Sequence, residues 1–129
     1  MSPGKILFID TVHPILQEKL QARGFECIAG YDLSENAILN LLPQCNGIII
    51  RSRFKIGKTF IDAGKNLKFI ARAGAGMENI DTALAAEAGI VCMNAPEGNR
   101  NAVAEHAVGM LLTLLNKLNI ADQQVRKGN

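Results

Sequence analysis

Along this chain, short runs that are mostly apolar or β-branched alternate with longer stretches in which apolar residues recur every three or four positions. The runs occupy residues 5–9, 26–29, 47–50, 67–71 and 90–93. Ile48, Ile49 and Ile50 follow one another without polar alternation, the pattern of a strand covered on both faces. Between the first two runs, residues 14–24 place Ile15, Leu16, Leu20 and Ala22 near helical spacing, and Gly24 supplies a stop. A second helix starts at Ser34, carries Ile38, Leu39, Leu41 and Leu42, and is predicted to end before Pro43, because proline cannot continue the hydrogen-bond ladder. A third runs from Asp81 as N-cap through Ala88 and stops at Gly89.

Strands that alternate with helices predict a parallel sheet. Five such strands, with helices on both faces, give an α/β class: a doubly wound, flavodoxin-like sheet of order 2-1-3-4-5. Ligands of such sheets sit beyond the carboxyl ends of the strands. Asp10, Arg51, Ser52, Arg53, the 72–76 segment and the 94–99 segment all fall on that edge. The last segment differs. Asn99 or Asn101 can cap a helix from about Ala102 to beyond Leu118 that is apolar on nearly every side, and such a helix is meant to be buried. Its uncovered face needs another domain of the same polypeptide or a second copy of the chain. Residues 123–129 are polar and read as a linker. The organisation expected is a sheet domain over 1–98, followed by an interdomain helix and linker over 99–129.

Composition narrows the function classes. The 129 residues, 48% hydrophobic and 20% charged, suit a soluble globular domain with a real core. A net charge of +2 makes no basic stripe, and one tyrosine, five phenylalanines and no tryptophan leave few stacking platforms, so nucleic acid is not an expected partner. Cys27, Cys45 and Cys92 lie in or beside apolar segments at wide spacing. This fits buried reduced thiols, and neither a metal site nor a disulfide framework. The expected compartment is the cytoplasm: no secretory signal is read at the start, and Glu105, His106, Asn116 and Lys117 interrupt the longest apolar stretch, so no membrane span is expected.

The candidate chemistry centres on Ala71-Arg72-Ala73-Gly74-Ala75-Gly76-Met77-Glu78-Asn79-Ile80-Asp81, directly after the fourth strand. Two glycines one residue apart let the backbone fold tightly and bare its N–H groups, and the arginine adds a fixed positive charge. These groups suit a small carboxylate or phosphate-bearing ligand. A dinucleotide cradle is not expected, because the third glycine position holds Asn79 and the turn follows the fourth strand, not the first.

Four motifs in order carry a family resemblance: Arg51-Ser52; Arg72 through Asp81; Asn94-Ala95-Pro96-Glu97-Gly98-Asn99; and Val103-Ala104-Glu105-His106. In this order and spacing the chain resembles the N-terminal part of the D-isomer-specific 2-hydroxyacid dehydrogenases. The resemblance implies a substrate-binding domain interrupted, in the complete enzyme, by a Rossmann domain that binds NAD and carries the catalytic groups. It therefore implies no catalytic, cofactor or metal residue on this chain, and no turnover by the chain alone. It implies that N–H groups around Gly74, Ala75 and Gly76 hold a substrate carboxylate, that Asn99 helps orient it, and that Arg51 and Arg72 bind anions. The implied ligand is a small anionic 2-hydroxy or 2-oxo acid, and the implied assembly is a homo-oligomer. Glu78 departs from the aspartate of many relatives. His106 and Glu105 are expected to serve the interdomain helix, Pro96 to set the turn before it, Asp10 and His13 to cap and pack, and Arg53 to be structural.

Other classes use the same fold. A receiver domain needs an acidic cluster after its first strand and an acceptor aspartate after its third, where this chain has Arg51-Ser52-Arg53. Flavodoxin needs a hydroxyl-rich phosphate loop that Thr11-Val12-His13-Pro14 does not supply. A different 2-hydroxyacid dehydrogenase, such as a glyoxylate/hydroxypyruvate reductase, and a non-catalytic acid-binding module remain alternatives.

Overall fold

The computed structural model describes residues 3–128 and divides into two compact units, 1–95 and 96–129. The first unit is built on β1 (Lys5–Phe8), β2 (Glu26–Ala29), β3 (Gly47–Ile50), β4 (Phe69–Arg72) and β5 (Val91–Met93), all parallel, in the order β2-β1-β3-β4-β5. This is the predicted sheet. The helices between strands are α1 (Pro14–Ala22), α2 (Glu35–Leu41), α3 (Lys58–Ala63) and α4 (Thr82–Glu87).

Period-two alternation divides the core between the two faces of the sheet. Ile6, Phe8 and Ile49 point to one face, against Leu16 and Leu20 of α1. Leu7, Ile9, Ile48, Ile50 and Ile70 point to the other, against Ile38 of α2, Phe60 and Ile61 of α3 and Ala85 of α4. The α1 face is covered unevenly: Val91 and Met93 of the edge strand β5 remain 60% and 44% exposed.

The caps formed as the local sequence dictates. The Ser34 hydroxyl accepts the Ala37 N–H at 3.3 Å and Asp81 Oδ1 accepts the Leu84 N–H at 3.0 Å. Gly24 and Gly89 end α1 and α4 with φ of +88° and +73°, where a side chain is strained. The structure adds α3, whose short pattern was not legible as a helix; its signals were Gly57 before it and the Lys58–Asp62 pair at 2.8 Å, one turn apart. The second helix ends at Leu41, before Pro43 as expected, and a 3-10 turn, Leu42–Gln44, follows with proline in its first positions, where no N–H is needed.

The second unit contains a 3-10 turn, Pro96–Gly98, then α5 (Arg100–Leu115) and α6 (Leu118–Arg126). The expected single helix through Leu118 is thus broken. Lys117 adopts φ 51°, ψ 37°, and both Thr113 and Asn116 bond back to carbonyls four residues earlier, Gly109 at 2.8 Å and Leu112 at 3.1 Å. Side-chain bonds of this kind bend or end helices. The segment read as a linker from Gln123 is helical as far as Arg126. Leu111, Leu114, Leu115 and Leu118 are all at least half exposed.

No helix among the described residues is long and apolar enough to cross a membrane. All three cysteines are free, Cys45 buried and Cys27 and Cys92 partly so. Burial pushes each thiol above the ordinary range, which lowers its reactive thiolate fraction near neutrality.

Candidate functional site

At the carboxyl edge of the sheet, the chain leaves β1 at Asp10 and β3 at Arg51. Asp10 Oδ2 accepts three consecutive backbone N–H groups, from Arg51 at 2.6 Å, Ser52 at 3.0 Å and Arg53 at 3.2 Å. The concave row of donors after β3 is an anion nest, and the protein's own carboxylate fills it. The Arg51 carbonyl is held as firmly, by Arg72 Nε at 2.9 Å and Asn79 Nδ2 at 3.2 Å. The backbone of Arg51 is therefore pinned on both sides. Its guanidinium has no hydrogen bond or ion pair among the described residues.

Arg53 is used differently. Its guanidinium donates to the carbonyls of Ile9 at 3.2 Å, Gly30 at 2.9 Å and Leu33 at 2.5 Å, and lies 4.8 Å over the Phe54 ring. It ties the exits of β1, β2 and β3 together, the structural part expected of it.

Arg72 is also committed. Beyond the Arg51 carbonyl, it donates from Nη1 to the Gly76 carbonyl at 2.6 Å and pairs through Nη2 with Glu78 at 3.3 Å. Its side chain is only 14% exposed. Gly74 and Gly76 make the tight turn without a positive φ. A Cβ at Gly76 would meet only the Glu78 carboxylate, the mobile end of a largely exposed side chain that pairs with Arg72.

The loop after β4 is polarised by its partners. The Gly74 carbonyl accepts the Ala95 N–H at 2.9 Å, the Ala75 carbonyl accepts Asn94 Nδ2 at 2.6 Å, and the Gly76 carbonyl accepts Arg72. The N–H groups of Gly74, Ala75 and Gly76 have no acceptor among the described residues. With carbonyls turned into the protein and donors left over, the loop presents a small electropositive surface. Asn79, donating to both Arg51 and Phe54 carbonyls, leaves its buried Oδ1 without a donor among the described residues.

The structure thus gathers Arg51, Arg72, Gly74, Ala75 and Gly76 on one edge. Asn99 belongs to the second unit, at the N-cap of α5, where its side chain makes no capping bond. Sequence reading passed over the turn after β1 as a site. Thr11, Val12 and His13, with Arg51 and Ala73, line a cleft of about 450 Å³. His13 does cap α1 as expected, its Nδ1 accepting the Ile15 N–H at 3.3 Å.

No group of three His, Cys, Asp or Glu side chains among the described residues could hold a metal. The residues present do not fit a dinucleotide pyrophosphate either: the helix after the glycine loop has six residues, and its N-terminus is already capped by the Asp81 carboxylate.

Comparison with known proteins bears on the family and the fold. The sequence pattern of the family described as D-isomer specific 2-hydroxyacid dehydrogenase, catalytic domain, matches residues 6–127. The chain is 35% identical over 124 residues to the D-3-phosphoglycerate dehydrogenase of Archaeoglobus fulgidus, covering 96% of this chain and 24% of that protein. It is 36% identical over 96 residues to the hydroxypyruvate reductase of Thermotoga maritima, covering 74% and 31%. The NAD+-bound 3-phosphoglycerate dehydrogenase of Entamoeba histolytica superposes with a TM-score of 0.68 at 34% identity, covering 86% of this chain and 39% of that one. The chain spans about a quarter of the length of the first of these curated relatives. By sequence pattern, identity and fold together, the chain belongs to the D-isomer specific 2-hydroxyacid dehydrogenase family.

Proposed function

We propose that this chain is the acid-binding part of an NAD-dependent D-2-hydroxyacid dehydrogenase whose substrate is 3-phosphoglycerate, oxidised to 3-phosphohydroxypyruvate for serine biosynthesis. The observation that carries the reading is the loop after β4, with its carbonyls engaged and the N–H groups of Gly74, Ala75 and Gly76 open. In this reading those donors hold the carboxylate next to the reacting carbon, and Arg51 supplies the free positive charge for the second anionic group. Arg72 acts mainly by holding the loop in shape, and Asn99 helps orient the acid. NAD use is proposed for the larger protein, and the 129 residues alone are proposed to turn nothing over. Three free thiols support a reducing compartment, which we take to be the cytoplasm.

A second reading, reduction of glyoxylate or hydroxypyruvate, is favoured by the Thermotoga maritima relative. The two differ in whether a phosphorylated acid is preferred. Titration of the chain with 3-phosphoglycerate, followed by amide resonances, is expected to perturb residues 72–76 and Asn99 first. Affinity is expected to be roughly millimolar, because a site open to solvent on one side is incompletely preorganised. No cofactor turnover should accompany binding. Shifts confined to the opposite edge of the sheet would overturn the reading.

The protein is further proposed to self-associate through α5 and the start of α6, over residues 102–118, where Leu114, Leu115 and Leu118 are 77%, 70% and 50% exposed. Burying a leucine contributes on the order of 2 kcal/mol, so a few of them offset the entropy cost of a modest dimer. Sedimentation should show a dimer that Leu114→Glu with Leu118→Glu disperses. A strict monomer at high concentration sinks the idea.

A further inference from the structure

The turn after β1 plays no part in the acid site as described so far, yet it borders a polar opening on the carboxyl edge. The cleft lined by Thr11, Val12, His13, Arg51 and Ala73 lies across the ends of β1, β3 and β4. Between β1 and β3 the strand order reverses, and in open parallel sheets ligands bind at such a reversal.

The polar side chains around this cleft are donors. The Arg51 guanidinium has no partner among the described residues, and its backbone is fixed by Asp10, Arg72 and Asn79. His13 accepts the Ile15 N–H at Nδ1, which places the proton of the neutral ring on Nε2, where no acceptor lies among the described residues. The Thr11 hydroxyl is exposed and likewise unpartnered among them. No acidic side chain lines the cleft, because the nearby Asp10 carboxylate is engaged by the three N–H groups of the β3 exit. A guanidinium, an imidazole N–H and a hydroxyl around one opening match a group with several acceptor oxygens and negative charge.

We propose that this cleft is the subsite for the phosphoryl group of the acid, with Thr11 and His13 as residues that select phosphorylated over unphosphorylated substrates. The inference rests on the proposed carboxylate site at Gly74, Ala75 and Gly76. Ala73 connects the two: it lines the cleft and begins the loop.

Three probes test this by amide resonances on the 129-residue chain: inorganic phosphate, D-glycerate and 3-phosphoglycerate. Phosphate is expected to perturb Thr11, His13 and Arg51, D-glycerate to perturb Gly74, Ala75 and Gly76, and 3-phosphoglycerate to perturb both sets. His13→Ser keeps an oxygen to cap α1 and Thr11→Val keeps the shape, so neither should unfold the chain. Each is expected to weaken 3-phosphoglycerate about tenfold, as for the loss of one hydrogen bond to a charged group, while D-glycerate stays within about twofold. If the wild-type chain binds 3-phosphoglycerate at residues 74–76 and both variants bind it equally well, the subsite is wrong and the carboxylate site stands. If D-glycerate leaves residues 74–76 unmoved while phosphate still perturbs Thr11 and His13, the carboxylate reading fails and the phosphate site survives it. Phosphate shifts located elsewhere overturn the subsite outright.

Discussion

Arg72→Ala is expected to weaken acid binding at least tenfold and to cost about 2 kcal/mol of stability, although this guanidinium is mostly buried and need not touch the acid. Its removal strips a charged donor from the carbonyls of Arg51 and Gly76, the two points that hold the free arginine and the N–H loop in place. Hydrogen bonds from charged groups contribute about 1.5–3 kcal/mol each, and part of that returns when water reaches the freed carbonyls. The Glu78 contact adds little, since that carboxylate is 73% exposed. Arg72→Lys should not rescue binding, because an ammonium cannot serve three partners in the fixed planar geometry of a guanidinium. Arg53→Ala is the matched control. It releases the carbonyls of Ile9, Gly30 and Leu33 and should destabilise to a similar degree, yet leave affinity near wild type, because none of its bonds reaches the loop after β4. Urea unfolding and acid titration of both variants separate the two effects. Wild-type affinity in Arg72→Ala, or an equal loss in Arg53→Ala, would contradict the assignment.

Ile48→Ala should cost more, about 3–4 kcal/mol. The side chain is 0% exposed in the middle of β3, the central strand, within the larger of the two cores. Truncating a buried isoleucine removes its transfer free energy and leaves a cavity that surrounding strands close only partly, giving losses of about 2–5 kcal/mol. Against a total stability of about 5–15 kcal/mol this is a large fraction. For a unit of this size the melting temperature should fall by roughly 12 °C or more. Ile15→Ala, at a position 46% exposed, should change stability by less than about 0.5 kcal/mol. A loss below about 1 kcal/mol for Ile48→Ala would mean that the sheet interior is far more plastic than its burial implies.

Much of the fold was legible in the sequence because its determinants are local. The uninterrupted isoleucines of β3, the caps at Ser34 and Asp81, and the stops at Gly24 and Gly89 act within a few residues, and all appear in the structure. The strand order followed from the alternation of strands and helices. What the pattern did not reveal was α3, too short to show a period, and the break at Lys117, which depends on how two polar side chains compete for carbonyls of the preceding turn.

The candidate site divides the same way. Sequence alone identified the family pattern, placed the glycine loop after β4 and pointed to the carboxyl edge of the sheet. Sequence reading set Arg53 apart as structural, and only the tertiary structure separated Arg51 from Arg72. Arg51, Arg53 and Arg72 are chemically identical, but Arg53 is spent on carbonyls 20 to 44 residues away in sequence and Arg72 on one 21 residues away, while Arg51 is left free. Likewise Asp10, expected to cap and pack, becomes an internal counter-anion only when the β3 exit folds against it. Whether a charged side chain binds a ligand or braces the protein depends on which distant backbone groups the fold brings within hydrogen-bonding reach, and local sequence carries no record of that.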